Sequence, residues 1–357
     1  MAVHFHSLKV KAIKKETADC VSVSFLIPEE LKNVFAFEQG QNITLKKNIA
    51  GEEVRRSYSI CTAPYENELK IAIKKVDGGI FSGYANDVLK AGEELEVLPP
   101  TGKFNSKLLA ENRNRYLAFA AGSGITPILA IIKTTLKSEP QSNFTLVFGN
   151  RSRSSIIFFE ELEGLKNKYL QRFSFINILS REKTDAPINY GRIDQQKLTD
   201  LNNLVDYNTI DEYFICGPEA MTFCVKDFLE HNGIDKKKIH FELFGTPGIN
   251  KINLPTKENK NSGPKSKITV KLDGRSFDFD LGFSSETILD AALKQGADLP
   301  FACKGGVCCT CKAKLLEGQV KMDVNWGLEQ EEIEQSFILT CQSHPITEKV
   351  VVDFDIK

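Results

Sequence analysis

Along residues 1–100, apolar and polar positions alternate in short runs: LKVKAI, CVSVSFLI, NITLKK, SYSIC, LKIAIKKV and EELEVLPP. A period of two sends one side chain inward and the next outward, the mark of a half-buried strand. Six such runs with few helical segments predict an antiparallel barrel or sandwich. After about residue 113 the rhythm changes. YLAFAAG, FTLVFGN, FSFINILS and YFICG read as apolar strands, and PILAIIKTTL, SIIFFEELEGLKNKY, QQKLTDLNNL and EAMTFCVKDFLEHNG read as the helices between them. Alternating strand and helix predicts a doubly wound parallel sheet. Residues 246–266 are polar and rich in Pro, Gly, Asn and Lys, so they read as a linker. Residues 267–357 follow as an α+β unit: a hairpin turning at Asp273-Gly274, a helix in ETILDAALKQG, a cysteine-rich loop and a closing strand EKVVVDFD. The expected domains are therefore 1–108, 109–245 and 267–357, with the linker at 246–266.

Composition adds mainly exclusions. The 357 residues are 41% hydrophobic and 26% charged, with a net charge of −1, so no basic surplus points to nucleic acid or an anionic membrane. The opening MAVHFHSLKVKAIKKET has no apolar signal core, and no run approaches the roughly 18 apolar residues of a membrane span. The expected location is the cytoplasm, where thiols stay reduced. The nine cysteines, an odd number with Cys20, Cys61, Cys216 and Cys224 widely scattered, do not suggest a disulfide framework.

Four of the nine fall in CKGGVCCTC at 303–311. Cys303, Cys308 and Cys311 are spaced C-x4-C-x2-C, and Cys341 follows after 29 intervening residues. That is the plant-type [2Fe–2S] pattern, in which four thiolates hold two bridged irons. Gly305 and Gly306 suit a loop that must turn sharply and bring amides to the sulfurs. Zinc is the rival reading, but structural zinc commonly uses two C-x2-C hooks and only one is present here. The stretches TILDAALKQGADLPFACKGGVCCTC and FILTCQ resemble the helix, ligand loop and fourth-ligand segment of β-grasp plant-type ferredoxins. Where that family has a small residue, this chain has Cys309, which reads either as a small buried apolar side chain or as a spare thiolate.

A cluster accepts one electron at a time, whereas a nicotinamide gives two as hydride, so a flavin is expected between them. RSYS at 56–59, GGIFSGYAND at 78–87 and LPPTGKF at 98–104 resemble, in order, the flavin segments of the ferredoxin–NADP reductase superfamily. The first alone would equally be a surface strand with an ordinary Arg and Tyr. The resemblance implies an FAD-binding antiparallel β-barrel. In it Arg56 pairs with the flavin phosphate, Ser57 joins it in the cofactor-binding motif, Tyr58 stacks on the ring and Ser59 hydrogen-bonds near its redox-active nitrogen. Gly79, Ile80, Phe81 and Ser82 would open a helix whose amides face the pyrophosphate.

In AFAAGSGITPI, a strand runs into Gly122-Ser123-Gly124, with a helix expected from Pro127. The same family implies that this turn binds the nicotinamide nucleotide, with Thr126 near the nicotinamide. CGPEAM would place Cys216, Gly217 and Pro218 at the hydride-transfer position, although Cys216 alone reads as a buried strand-end thiol. Glu242 in HFELF would lie beside the flavin or serve a structural role. Ser180 and Arg181 resemble the pair that meets the 2′-phosphate in NADPH-using relatives, with Arg151 and Arg153 adding charge. That implies NADPH, and Glu182 leaves NADH possible. The whole order resembles reductases of multicomponent oxygenases with a C-terminal ferredoxin, which implies an oxygenase as electron acceptor. A desaturase or hydroxylase acceptor, or a cluster-based redox sensor, remains an alternative. Five histidines without a carboxylate–histidine cluster suggest no oxygen-activating iron in this chain.

Overall fold

A computed structural model describes residues 4–244, 264–283 and 285–356. The chain divides into two compact units, one built mainly from residues 7–244 and the other mainly from the C-terminal segment. Most of the expected linker at 246–266 lies outside the described residues, and its last residues already belong to a strand.

In the first unit, β1 (His6–Thr17), β2 (Cys20–Leu26), β3 (Asn42–Ile49), β4 (Glu52–Ser59), β5 (Leu69–Lys74) and β6 (Glu94–Val97) form one sheet in the order β4-β3-β6-β1-β2-β5. A bridge from Ile60, just beyond β4, to Ile71 of β5 joins its two edges and closes a barrel. Alternate residues point inward, and Leu8, Val10, Val23, Ile43, Leu45, Ile71, Ile73 and Val97 are nearly inaccessible to water. The α1 helix (Ile80–Asp87) plugs one end, burying Phe81 among these residues.

The same unit continues into β7 (Arg115–Ala121), α2 (Ile125–Ser138), β8 (Asn143–Asn150), α3 (Phe159–Lys168), β9 (Phe173–Leu179), α4 (Gln195–Asn202), β10 (Glu212–Gly217), α5 (Glu219–His231) and β11 (Ile239–Leu243). The strands form a parallel sheet in the order β11-β10-β7-β8-β9. Ala118, Ala120, Phe148 and Phe214 pack on one face with α2, whereas Leu117, Phe119, Val147, Tyr213 and Ile215 pack on the other with α4 and α5. Burial on both faces explains why these strands read as continuous apolar runs. Strand order reverses between β7 and β10, so the loops after those two strands open a crevice at the carboxyl edge.

Two helix starts differ from the sequence reading. The α2 helix begins at Ile125, two residues before Pro127. Proline still fits because the first turn of a helix leaves its amides unpaired. The expected helix over SIIFFEELEGLKNKY begins only at Phe159, because Phe158 takes a left-handed φ of 60° and Ile156, Ile157 and Phe158 are buried as a loop.

The second unit comprises β12 (Lys265–Leu272), β13 (Arg275–Gly282), α6 (Ile288–Lys294), β14 (Lys312–Glu317), β15 (Val320–Met322), α7 (Gln330–Glu334), β16 (Phe337–Leu339), β17 (Ser343–Pro345) and β18 (Lys349–Asp353). Its main sheet runs β13-β12-β18-β14-β16, with β12 and β18 parallel. Asp273 and Gly274 both have positive φ, 54° and 67°, as a two-residue hairpin turn of right-handed twist requires. The α6 residues Ile288, Leu289 and Ala292 share one core with Ile268, Val270, Val350 and Val352.

Candidate functional site

The cluster loop leaves the α6 side of the second unit and returns through β14. Cys303 lies within hydrogen-bonding reach of Cys308 and Cys341, and Cys341 within reach of Cys311. The loop and the β16–β17 turn therefore bring together the four thiols expected from their spacing. The Gly305 amide donates to Cys303 Sγ at 3.3 Å, and Gln342 Nε2 lies 3.7 Å from Cys341 Sγ. These donors suit sulfurs that carry negative charge, and a cluster's thiolates and sulfides are such acceptors. Only Gly306 of the two glycines is left-handed, at φ 74°, and the other left-handed residue in this turn is Lys304 at φ 50°. A Cβ on Gly306 would stand 2.6 Å from Val324 Cγ2. Gly305 thus contributes an amide and Gly306 a conformation. Among the described residues, no group of three or more His, Cys, Asp or Glu is arranged to hold a single metal ion. A two-iron cluster differs from such a site in spreading its four thiolates over two metal positions.

Cys309 departs from this quartet. Its backbone is left-handed, φ 54°, and its thiol donates to the Gly327 carbonyl. The thiol is thus partnered by backbone of the 325–328 segment, while the residue is half-buried and not enclosed as a small buried side chain would be.

At the carboxyl edge of the parallel sheet, Gly122–Gly124 form a single 3-10 turn leading into α2, with Gly122 at φ 55°. A Cβ on Gly124 would fall 2.0 Å from the Cys216 carbonyl oxygen and 2.8 Å from Gly217 N. The 3-10 turn runs straight into α2, whose first amide, that of Ile125, donates to the Gly122 and Ser123 carbonyls, and Pro127 has no N–H, so the backbone of the turn is what meets a ligand there. Thr126 is buried, and its hydroxyl donates to the Ser123 carbonyl at 3.0 Å, bracing the turn. Pro127 is buried in the first turn of α2. Cys216 is fully buried, and burial pushes its thiol well above the usual range, keeping it neutral. Pro218 caps α5. Lys74, which no motif flagged, brings its ammonium to 4.0 Å from a Cβ built on Gly122.

Across the β8 and β9 ends, Ser180 N and Arg181 N donate to the Asn150 and Arg151 carbonyls at 2.9 and 2.8 Å. This extension places Arg151, Arg153 and Arg181, all exposed, on one rim. Arg153 lies over the Phe159 ring at 4.8 Å. The Glu182 carboxylate accepts from Arg153 N at 2.8 Å and is therefore engaged with backbone.

The flavin segment occupies the end of β4. Arg56 is exposed, and its guanidinium donates to the Arg55 carbonyl at 2.7 Å. Ser57 and Tyr58 are half-buried, and the Tyr58 ring packs 5.8 Å from Phe81. Phe81 is 1% exposed, so only its backbone is open to a ligand. Ser82 Oγ accepts from Val76 N at 3.1 Å and donates to the Gly79 carbonyl at 3.3 Å, locking the turn into α1. A Cβ on Gly79 would meet that hydroxyl at 2.4 Å, and the neighbouring Ile80 is exposed.

Ser59 joins the two halves of the first unit. Its hydroxyl donates to Glu242 Oε2 at 2.9 Å, across 183 positions of chain. Glu242 stands beside Cys216 in the β10–β11 register. The residue as a whole is half-buried, with its carboxyl the deeper part. Burial lifts its pKa to about 7, and the Ser59 hydrogen bond partly opposes that rise.

Backbone cradles at two helix starts, a carboxyl tuned near neutrality and a thiol quartet define a pyridine-nucleotide oxidoreductase with flavin and iron–sulfur modules. Family models agree: an oxidoreductase FAD-binding domain matches residues 7–106, an oxidoreductase NAD-binding domain residues 119–227 and a 2Fe-2S iron-sulfur cluster binding domain residues 270–345. The chain is 47% identical over 355 residues to one of the subunits of 1,2-phenylacetyl-CoA epoxidase from Escherichia coli (strain K12), covering 99% of this chain and 98% of that one. It is 32% identical to the ferredoxin reductase component of 3-ketosteroid-9-alpha-monooxygenase from Rhodococcus rhodochrous, covering 97% and 96%. Its fold is similar to that of phthalate dioxygenase reductase, with TM-score 0.57, 23% identity and 98% of each chain covered. The chain belongs to the family of oxygenase reductase components that carry FAD-binding, NAD-binding and [2Fe-2S] domains.

Two outcomes test the site. Glu242 has a folded pKa of about 7 against an ordinary 4.5, so the folded protein holds a proton through that window which the unfolded chain releases. The cost of burying the carboxylate therefore grows as pH rises from 4.5 to 7 and is complete above it. Glu242→Gln removes this dependence, and urea unfolding of the apoprotein should show it gaining on wild type by roughly 3 kcal/mol between the ends of the window. A gap that does not change with pH contradicts the raised pKa. For the thiols, Cys309→Ser retains iron and acid-labile sulfide after reconstitution, whereas Cys308→Ser loses both. The reverse result would exchange their roles.

Proposed function

We propose that this chain carries electrons from NADPH, with NADH as the alternative donor, to a phenylacetyl-CoA epoxidase in phenylacetate breakdown. The observation that carries the acceptor is the 47% identity to a component of that epoxidase, running through 99% of the chain. The reading assigns the cluster to Cys303, Cys308, Cys311 and Cys341. It assigns the flavin to Arg56, Ser57, Tyr58, Ser59 and the Gly79–Ser82 turn. The nicotinamide nucleotide is assigned to Gly122, Ser123, Gly124, Thr126 and Pro127, with Cys216, Gly217 and Pro218 opposite.

A bound flavin would supply the conversion between a two-electron donor and a one-electron cluster. The protein's part is positioning. The absent side chain at Gly124 lets backbone approach a pyrophosphate at the start of α2. Thr126 holds that turn in shape through Ser123. Ser82 does the same at the start of α1. The Ser59 hydroxyl is aimed by Glu242, whose pKa near 7 lets it hold or release a proton at working pH. In the cluster unit, the Gly305 amide would stabilise thiolate charge at Cys303.

NADPH is favoured over NADH because Arg151, Arg153 and Arg181 share one rim while the Glu182 carboxylate is engaged with the Arg153 amide. Arg181→Ala should raise KM for NADPH by about tenfold or more and change that for NADH by less than about twofold, as loss of a charge-assisted phosphate contact predicts. Equal losses with both nucleotides would remove Arg181 from the 2′-phosphate site.

The acceptor is tested by reconstitution with the purified oxygenase components of phenylacetyl-CoA epoxidase. Consumption of nucleotide should be coupled to loss of phenylacetyl-CoA. Rapid reduction of an artificial acceptor without epoxidation would leave a functional reductase that serves another oxygenase.

A further inference from the structure

Lys133 lies on α2, two turns beyond the Gly122–Gly124 turn, and is 2% exposed. Its ammonium contacts Glu66 Oε2 at 2.7 Å and Glu161 Oε1 at 2.6 Å. The three charges come from three places. Lys133 belongs to the helix that starts at the Gly122–Gly124 turn assigned to the nicotinamide nucleotide. Glu161 is on α3 of the same nucleotide domain. Glu66 belongs to the barrel, in the short 3-10 turn Pro64–Glu66 that follows the flavin strand.

Glu66 is itself held in place. Its Oε2 accepts from Ala63 N at 2.6 Å, closing the turn that leads away from Ser59. The adjacent Tyr65 hydroxyl donates to the Lys133 backbone carbonyl at 3.5 Å, a second link between the same two elements. Burial opposes the Lys133 charge, but the two carboxylates outweigh it and raise its pKa. Its side chain is therefore an ammonium at any working pH, and a buried ammonium is tolerated only where both partners stay in reach. Long apolar contacts between barrel and sheet could slide, whereas a buried charge fixed at both ends has one geometry.

We propose that Lys133 and Glu66 form an ionic clamp that fixes the position of the FAD-binding barrel against the nicotinamide-binding helix, making Lys133 a positioning residue for hydride transfer. The proposal rests on the relay described above. Glu161 plays a different part: it anchors Lys133 within the nucleotide domain.

The test compares the full-length flavin-loaded protein with Glu66→Gln, Glu161→Gln and Lys133→Met, using whichever of NADPH and NADH bleaches the wild-type flavin. Three readouts come from anaerobic rapid mixing: the bleaching rate at saturating nucleotide, the nucleotide Kd, and the long-wavelength charge-transfer absorbance of the nicotinamide–flavin complex. The fourth is the melting temperature of each apoprotein. Glu66→Gln and Lys133→Met should slow bleaching by about tenfold or more and weaken the charge-transfer band, because small displacements of reacting groups cost that much. Their Kd should stay within about twofold of wild type. Glu161→Gln should lower the melting temperature without slowing bleaching. Where Lys133→Met fails to fold, Glu66→Gln alone decides. Bleaching of Glu66→Gln at the wild-type rate overturns the clamp, as does slowing of all variants in proportion to their melting temperatures. A wild-type flavin that neither nucleotide bleaches overturns the relay reading and the clamp with it.

Discussion

The Cys216 carbonyl oxygen lies 2.0 Å from where a side chain on Gly124 would begin. That contact is possible only between two stretches of backbone, and the nucleotide-binding edge is arranged around it. It lets the turn after β7 settle against the end of β10, at the point where strand order reverses. Backbone can come close to a ligand there, and the Ile125 amide that opens α2 is tied back to the Gly122 and Ser123 carbonyls, which fixes the shape of the turn. Cys216 itself is buried in the apolar core beneath α2, and its thiol stays neutral there.

Glu242 extends this arrangement toward the barrel. It sits next to Cys216 in the register of β10 and β11 and accepts the Ser59 hydroxyl. Together with the Lys133–Glu66 pair, this bond spans the boundary between barrel and parallel sheet at a second place. The first unit thus combines a rigid sheet edge, which supplies amides, with a barrel whose functional strand end is held by polar bonds. Apolar packing supplies the stability of both halves, and these few polar links determine their alignment.

Much of this was legible in the sequence. Period-two alternation marked the six barrel strands, continuous apolar runs marked the parallel sheet, and the glycine turns at 122–124 and 273–274 stood where the backbone goes left-handed. The spacing of Cys303, Cys308, Cys311 and Cys341 located a quartet that the fold brings together. The short strands β14 to β17 and the five-residue α7 went unread, because three to six residues carry too little periodicity to distinguish them from loop. SIIFF looked helical because an apolar run has no period of its own, and only the left-handed Phe158 shows where the helix starts. The pairing of Ser59 with Glu242 and the meeting of Lys133, Glu66 and Glu161 leave no trace in spacing, since tertiary packing alone brings those positions together. The direction of the Cys309 thiol likewise depends on one backbone angle.

In the C-terminal unit, β18 occupies the middle of the sheet, between β12 and β14. It is also the last strand of that sheet to be synthesised. During translation the thiols at 303–311 emerge from the ribosome well before the central strand that completes their scaffold, and the sheet cannot close until residues 349–353 arrive. The order of synthesis thus makes Cys311, buried in the finished unit, one of the last thiols of the ligand loop to be enclosed.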